Sequence, residues 1–176
     1  MENTVNQRQH DGRSQTSSLE IQDGQILICV YGTLMRGRGN HERFCSGYLD
    51  VQPVEIPGAL RWLYPTIPIL DVPECLILAV GTEDPAADVA TQAAWMARLE
   101  AEGQPCQDTG EDPTHRDVGA VVGEVFAFDD PESRLPRLDA LEGFRPGCRS
   151  LYRRVLLVVR SESGEFLPAW VYVAPR

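Results

Sequence analysis

The stretch Ile26-Leu27-Ile28-Cys29-Val30-Tyr31-Gly32-Thr33-Leu34 decides how this chain is read. Five consecutive apolar residues have the continuous pattern of a buried strand. Tyr31-Gly32 stops the run, and Gly32 allows the backbone to turn tightly and approach a neighbour closely. A tight turn directly after a buried strand leaves successive N–H groups unpaired and pointing one way, and such a nest receives an anion. The Gly-rich stretch Arg36-Gly37-Arg38-Gly39 follows. Asn40 then reads as the N-cap of a short helix whose apolar side begins at Phe44.

Outward from this strand, turn and helix, strands dominate. Val51 to Leu63 is extended but broken at Pro53 and at Pro57-Gly58, and the Pro-dense stretch from Tyr64 to Ile69 is a loop or an edge strand. An amphipathic helix is expected between Asp84 and Gly103, with Pro85 in its first turn and Val89, Ala93, Met96 and Leu99 or Glu100 setting the period. Residues Gln104 to Asp117 read as a surface loop. Strand character returns over Ala120 to Phe128. A short helix is expected from Pro136 to Leu141, ended by Gly143. Tyr152 to Arg160 and Leu167 to Val173 are strands joined by a turn at Ser163-Gly164. Many strands and few helices predict an α+β class, a mixed, curved β-sheet or small barrel with a few flanking helices.

Composition narrows the classes of function. The chain has 176 residues, 43% of them apolar, enough to fill one core without a metal or a disulfide. Its net charge of −10, with arginines scattered rather than gathered, argues against nucleic acid as a partner. Five cysteines, odd in number and without a C-x-x-C pair, argue against a disulfide framework or a structural zinc site. Three isolated histidines show no metal-ligand spacing. Residues 1–24 are polar, lack the apolar core of a signal peptide and read as a disordered tail, leaving 25–176 as a single domain. No run is long enough to span a bilayer, and a cytoplasmic location with reduced thiols is expected.

Four further stretches matter together with Val30-Tyr31-Gly32-Thr33-Leu34. They are Val122-Gly123-Glu124-Val125, Leu138-Asp139-Ala140-Leu141-Glu142-Gly143, and Tyr152-Arg153-Arg154-Val155 followed by Trp170-Val171-Tyr172. In this order they resemble the gamma-glutamylcyclotransferase-like family, which includes gamma-glutamylamine cyclotransferases and avirulence-induced-gene-like proteins. The resemblance implies that the Tyr31, Gly32, Thr33 and Leu34 loop cradles the α-carboxylate end of a γ-glutamyl group, and that Glu142 is the catalytic acid–base residue. It implies a reaction in which the α-amine of a γ-glutamyl compound attacks its own side-chain amide carbonyl, releasing 5-oxoproline and an amine. No metal or other cofactor is implied, and the only partner is a small γ-glutamyl substrate, with no nucleic acid and no membrane. The leaving amine and the oligomeric state are not readable.

The residues themselves leave alternatives open. Glu142 ends an apolar helical turn, where helix polarity and desolvation both raise a carboxyl pKa; it is otherwise a solvated surface Glu. Tyr152 could hydrogen-bond substrate or pack in the sheet, and Arg154 could pair with Asp139. Glu124 is either a second carboxylate near the site or an outward-facing residue. The chain departs from the family pattern by a helix and loop inserted at about 70–118, which is either a lid or a helix packed on the outer face of the sheet. A non-catalytic small-molecule-binding module of the same fold is the chief rival. A cysteine-dependent transferase or hydrolase using Cys148 near Glu142 is a third reading.

Overall fold

The computed structural model describes residue 19 and residues 21–64, 67–103 and 118–175. The elements are β1 (Ile26–Val30), α1 (His41–Phe44), β2 (Asp50–Pro57), β3 (Ala59–Tyr64), β4 (Ile67–Asp71), β5 (Ala79–Val80), α2 (Pro85–Glu102), β6 (Ala120–Phe128), α3 (Pro131–Glu142), β7 (Arg153–Ser161) and β8 (Phe166–Val173). Strands run in the order β2-β6-β1-β8-β7, and β2 also pairs with β7, so five strands close into a barrel. The β1–β8 pair is parallel and the other barrel pairs are antiparallel. Short β5 joins the edge of β7, while β3 and β4 form a separate two-stranded hairpin.

The continuous apolar run of β1 follows from its place in this barrel. Side chains alternate across a strand. Leu27 and Cys29 join Val54, Val125, Leu157 and Val171 in the cluster to which all five barrel strands contribute, the barrel interior. On the other face, Ile26, Ile28 and Val30 join Trp170, Leu135 and Leu138 beneath α3. Both faces are buried, so neither can be polar.

Two helices differ from the expectations of the sequence. Helix α2 has the expected ends: Asp84 accepts hydrogen bonds from the N–H groups of Ala86 and Ala87, and Gly103 closes it. Its buried row, however, is Asp88, Gln92 and Leu99, whereas Ala93 is exposed and Val89 and Met96 are half-buried. The reason is polar. Asp88 meets the buried guanidinium of Arg154, and Gln92 Oε1 accepts the Leu27 N–H at 2.8 Å. Helix α3 starts at Pro131 rather than Pro136, with Pro131 in its first turn and Pro136 tolerated inside the helix on the exposed side.

Most of the expected tail, and the loop expected over 104–117, lie outside the described residues. The end of the tail is described, and Leu19, 6% exposed, packs into the interior cluster with Ile21 against it, so the packed domain extends upstream of residue 25.

Arg154 pairs with Asp139, the partner considered from the sequence, and does so at the centre of a network. Its Nη1 reaches Asp139 Oδ2 at 2.8 Å, its Nη2 reaches the Thr82 carbonyl at 2.8 Å and Asp88, and the Tyr172 hydroxyl donates to Asp139 Oδ1 at 2.7 Å. One buried guanidinium thereby ties α2 and α3 to β7. Asp88→Ala leaves the charge balanced by Asp139 but takes a charged acceptor from the buried guanidinium, so it is expected to cost about 1.5–3 kcal/mol. Breaking the exposed Arg160–Glu55 pair should cost less than about 1 kcal/mol. Urea unfolding of the two variants checks the contrast; equal losses would show that Asp88 is hydrated.

Candidate active site

A cavity of about 280 Å³ opens where β1 ends. Its base is built by Cys29, Val30, Leu34 and Tyr172, all buried. Thr33, Ile67 and Leu151 are its exposed lining residues and form the mouth. Tyr31, Glu142 and Tyr152 line it as well. Of the six residues named from the sequence, Gly32 alone does not line the cavity, although it lies in the same turn.

The turn is a 3-10 helix, Gly32–Leu34. The first N–H groups of such a turn have no acceptor within it. Gly32 has φ +67, and a Cβ there would sit 3.0 Å from Pro68 Cγ, so a side chain would push the turn off β4. Asn40 departs from its expected capping role: its side chain caps no helix and instead donates to Thr33 Oγ1 at 3.1 Å, and it lines the cavity. Behind the turn, Glu124 is 7% exposed and accepts from both the Arg36 main-chain N–H, at 2.7 Å, and Arg36 Nε, at 2.6 Å. This carboxylate is buried, paired and absent from the cavity lining; it fastens the loop that follows β1.

Both phenols expected near substrate are committed to backbone. The Tyr31 hydroxyl donates to the Tyr172 carbonyl at 2.8 Å and accepts the Leu70 N–H at 3.1 Å. The Tyr152 hydroxyl donates to the Pro68 carbonyl at 3.1 Å. Together they hold β4 over the barrel mouth, which makes Ile67 and Pro68 a wall of the cavity.

Glu142 occupies the last position of α3, ahead of Gly143 in the left-handed conformation (φ 64). The turn before it is held down by buried Leu138 and by Asp139, which Arg154 and Tyr172 grip. The Glu142 carboxylate forms no hydrogen bond or ion pair with any described residue. Burial alone pushes its carboxyl up to about 7 from an ordinary 4.5. Burial, with the charge of Glu142 beside it, also pushes the Tyr152 phenol up to about 12. An unpartnered carboxylate that takes up and releases a proton near neutrality, facing an anion-receptive turn, can move protons on a small bound molecule.

The sequence did not point to Cys29, Ile67, Pro68, Leu151 or Tyr172 as cavity residues. Tyr172 had a signal, since it belongs to the Trp170-Val171-Tyr172 stretch. Ile67, Pro68 and Leu151 come from loop-proximal segments whose approach depends on the tertiary fold. Burial raises the Cys29 thiol far above its ordinary range, which leaves it protonated and unreactive. Cys148 is exposed and lines a different cavity, so the geometry gives no support to a cysteine nucleophile working with Glu142.

Fold and site together define a small closed-barrel protein with a carboxylate, unpartnered among the described residues, lining a cavity of about 280 Å³. The family model for gamma-glutamyl cyclotransferase, AIG2-like, matches residues 82–176, more than half of the chain, and the chain belongs to that family. The matched stretch contains α2, α3 with Glu142, and the last two barrel strands; the Tyr31–Leu34 turn lies upstream of it. No curated protein matches the chain, and no solved structure does. Among the described residues no helix is long and apolar enough to cross a membrane.

Because the folded carboxyl of Glu142 holds its proton up to about pH 7 and the unfolded one releases it near 4.5, the folded state binds more protons between these values. Stability contributed by this group therefore falls as pH rises through that window. Glu142→Gln, which is neutral throughout, should melt above the wild type at about pH 8 and converge with it near about pH 5. Thermal melts at both pH values check this; a pH-independent difference would place the carboxylate in bulk water.

Proposed function

We propose that this protein is a γ-glutamyl cyclotransferase that releases 5-oxoproline and a free amine, with Glu142 as its acid–base residue. The observation that carries the reading is the pairing, in one cavity, of the unpartnered Glu142 carboxylate with the 3-10 turn after β1. Family membership supports the reaction class.

In this reading the N–H groups of the turn from Gly32 to Leu34 receive the α-carboxylate of the γ-glutamyl group. The α-amine lies between that anchor and Glu142. A carboxyl raised to about 7 lies closer to an α-ammonium group than an ordinary carboxyl at 4.5, so transfer of the ammonium proton to Glu142 costs less. The freed amine attacks the γ-carbonyl carbon and closes a five-membered ring. Collapse breaks the bond to the leaving nitrogen, to which Glu142 returns that proton; the second proton on the ring nitrogen then follows through the same carboxylate, so the lactam keeps one N–H and the amine departs as its ammonium. The substrate atoms are fully divided between 5-oxoproline and amine, and no water is consumed. Holding nucleophile and carbonyl in attack geometry is the chief task of the cavity walls, since tethered reactants can gain roughly 7–11 kcal/mol from orientation at best.

Release of 5-oxoproline from a panel of γ-glutamyl compounds tests the proposal. The rate kcat/KM should rise with pH through about 7 as Glu142 ionises. Glu142→Gln should lower kcat by about 10²–10⁴-fold while its circular dichroism stays native. Binding of γ-glutamyl compounds without any turnover would instead favour a non-catalytic binding module on the same fold.

A further inference from the structure

Beyond the residues assigned to the glutamyl group and the buried base, the cavity wall is made of Ile67, Pro68, Leu141 and Leu151, with Asn40, whose amide is given to Thr33, as its one polar member. Among the described residues no arginine or histidine lines it, and Glu142 is its only carboxylate. The arginines of the neighbouring 144–150 loop, Arg145 and Arg149, line another cavity that shares no residue with this one. The two outermost aliphatic side chains are also unusually open to solvent for their type, Ile67 at 37% and Leu151 at 52%. They stand on opposite segments, β4 and the approach to β7, which the Tyr152–Pro68 hydrogen bond holds together.

Resting on the cyclotransferase reading, we infer that Ile67 and Leu151 form a leaving-group subsite selecting an uncharged, apolar amine. With the glutamyl end at the buried turn and Glu142, the leaving nitrogen carries its substituent outward, past these two side chains. An alkyl chain there removes exposed aliphatic surface from water on both sides. A carboxylate beside the leaving nitrogen finds no cation and lies near the negative charge of Glu142 once that group ionises. An ammonium at the far end of the chain meets the apolar mouth and must stay hydrated beyond it. The cavity volume, at the low end for ligand pockets of roughly 300–1,000 Å³, suits a short substituent rather than an extended peptide.

Three γ-glutamyl substrates with the same carbon chain on the leaving nitrogen isolate the effect: the n-butylamide, its 4-aminobutylamide counterpart, and γ-glutamyl-norvaline, which adds only an α-carboxylate. The n-butylamide should exceed both charged compounds by about tenfold or more in kcat/KM, and shortening it to the ethylamide should lose about fourfold per methylene. Leu151→Arg should raise the norvaline-to-butylamide ratio about tenfold, whereas Leu151→Gln, equally polarising but uncharged, should lower butylamide turnover without raising that ratio. Equal turnover of the three by the wild type, or a preference for either charged compound, overturns the subsite and leaves the cyclotransferase reading intact. Absence of 5-oxoproline from all of them overturns both.

Discussion

The buried guanidinium of Arg154 is the interaction on which the rest of this structure depends. Three elements far apart in sequence converge on it: Thr82 and Asp88 from the start of α2, Asp139 from the last turn of α3, and Arg154 itself on β7. It also lies over the rings of Phe144 and Trp170. A lone charge in such a place would be prohibitive, and two carboxylates with a backbone carbonyl make it tolerable. The consequence for the site is positional. Asp139 stands one turn before Glu142, so holding Asp139 fixes the end of α3 and the direction in which its last carboxylate points.

Glu142 is the reverse case. Its neighbour in the helix is neutralised twice over, by Arg154 and by the Tyr172 hydroxyl, while Glu142 has no partner among the described residues. A fold selected only for stability would pair or expose that carboxylate. Here the network beneath α3 absorbs the cost of holding it half-buried without a partner among the described residues, and that desolvation brings its proton exchange to about neutral pH. The helix α2 belongs to this supporting structure. It packs on the barrel through Asp88 and Gln92 together with Val89, Trp95, Met96 and Leu99, and none of its residues lines the cavity.

Much of the fold was legible because barrel strands obey local rules. The apolar runs of β1, β6, β7 and β8, the Ser163-Gly164 turn and the Gly103 and Gly143 helix ends are each set by nearby sequence. Misreadings came where a distant group overrode local pattern. Of the apolar stripe expected on α2, Val89, Met96 and Leu99 face inward, but the most buried positions besides Leu99 are polar, because Asp88 meets Arg154 and Gln92 meets the β1 backbone, while Ala93 is exposed. Asn40, with the composition of a helix cap, spends its amide on Thr33 because the loop folds back on itself.

For the cavity, the amino-acid order alone placed an anion-receptive turn after a buried strand and a carboxylate at the end of an apolar helical turn, since turn chemistry and helix termination act within a few residues. That these two features share one pocket was a matter for the tertiary structure, as were the lack of a partner for Glu142 among the described residues and the aliphatic wall from Ile67, Pro68 and Leu151. Desolvation is the physical reason. It depends on what surrounds a group in space, and here those surroundings are gathered from strands closed into a barrel across more than a hundred residues of chain.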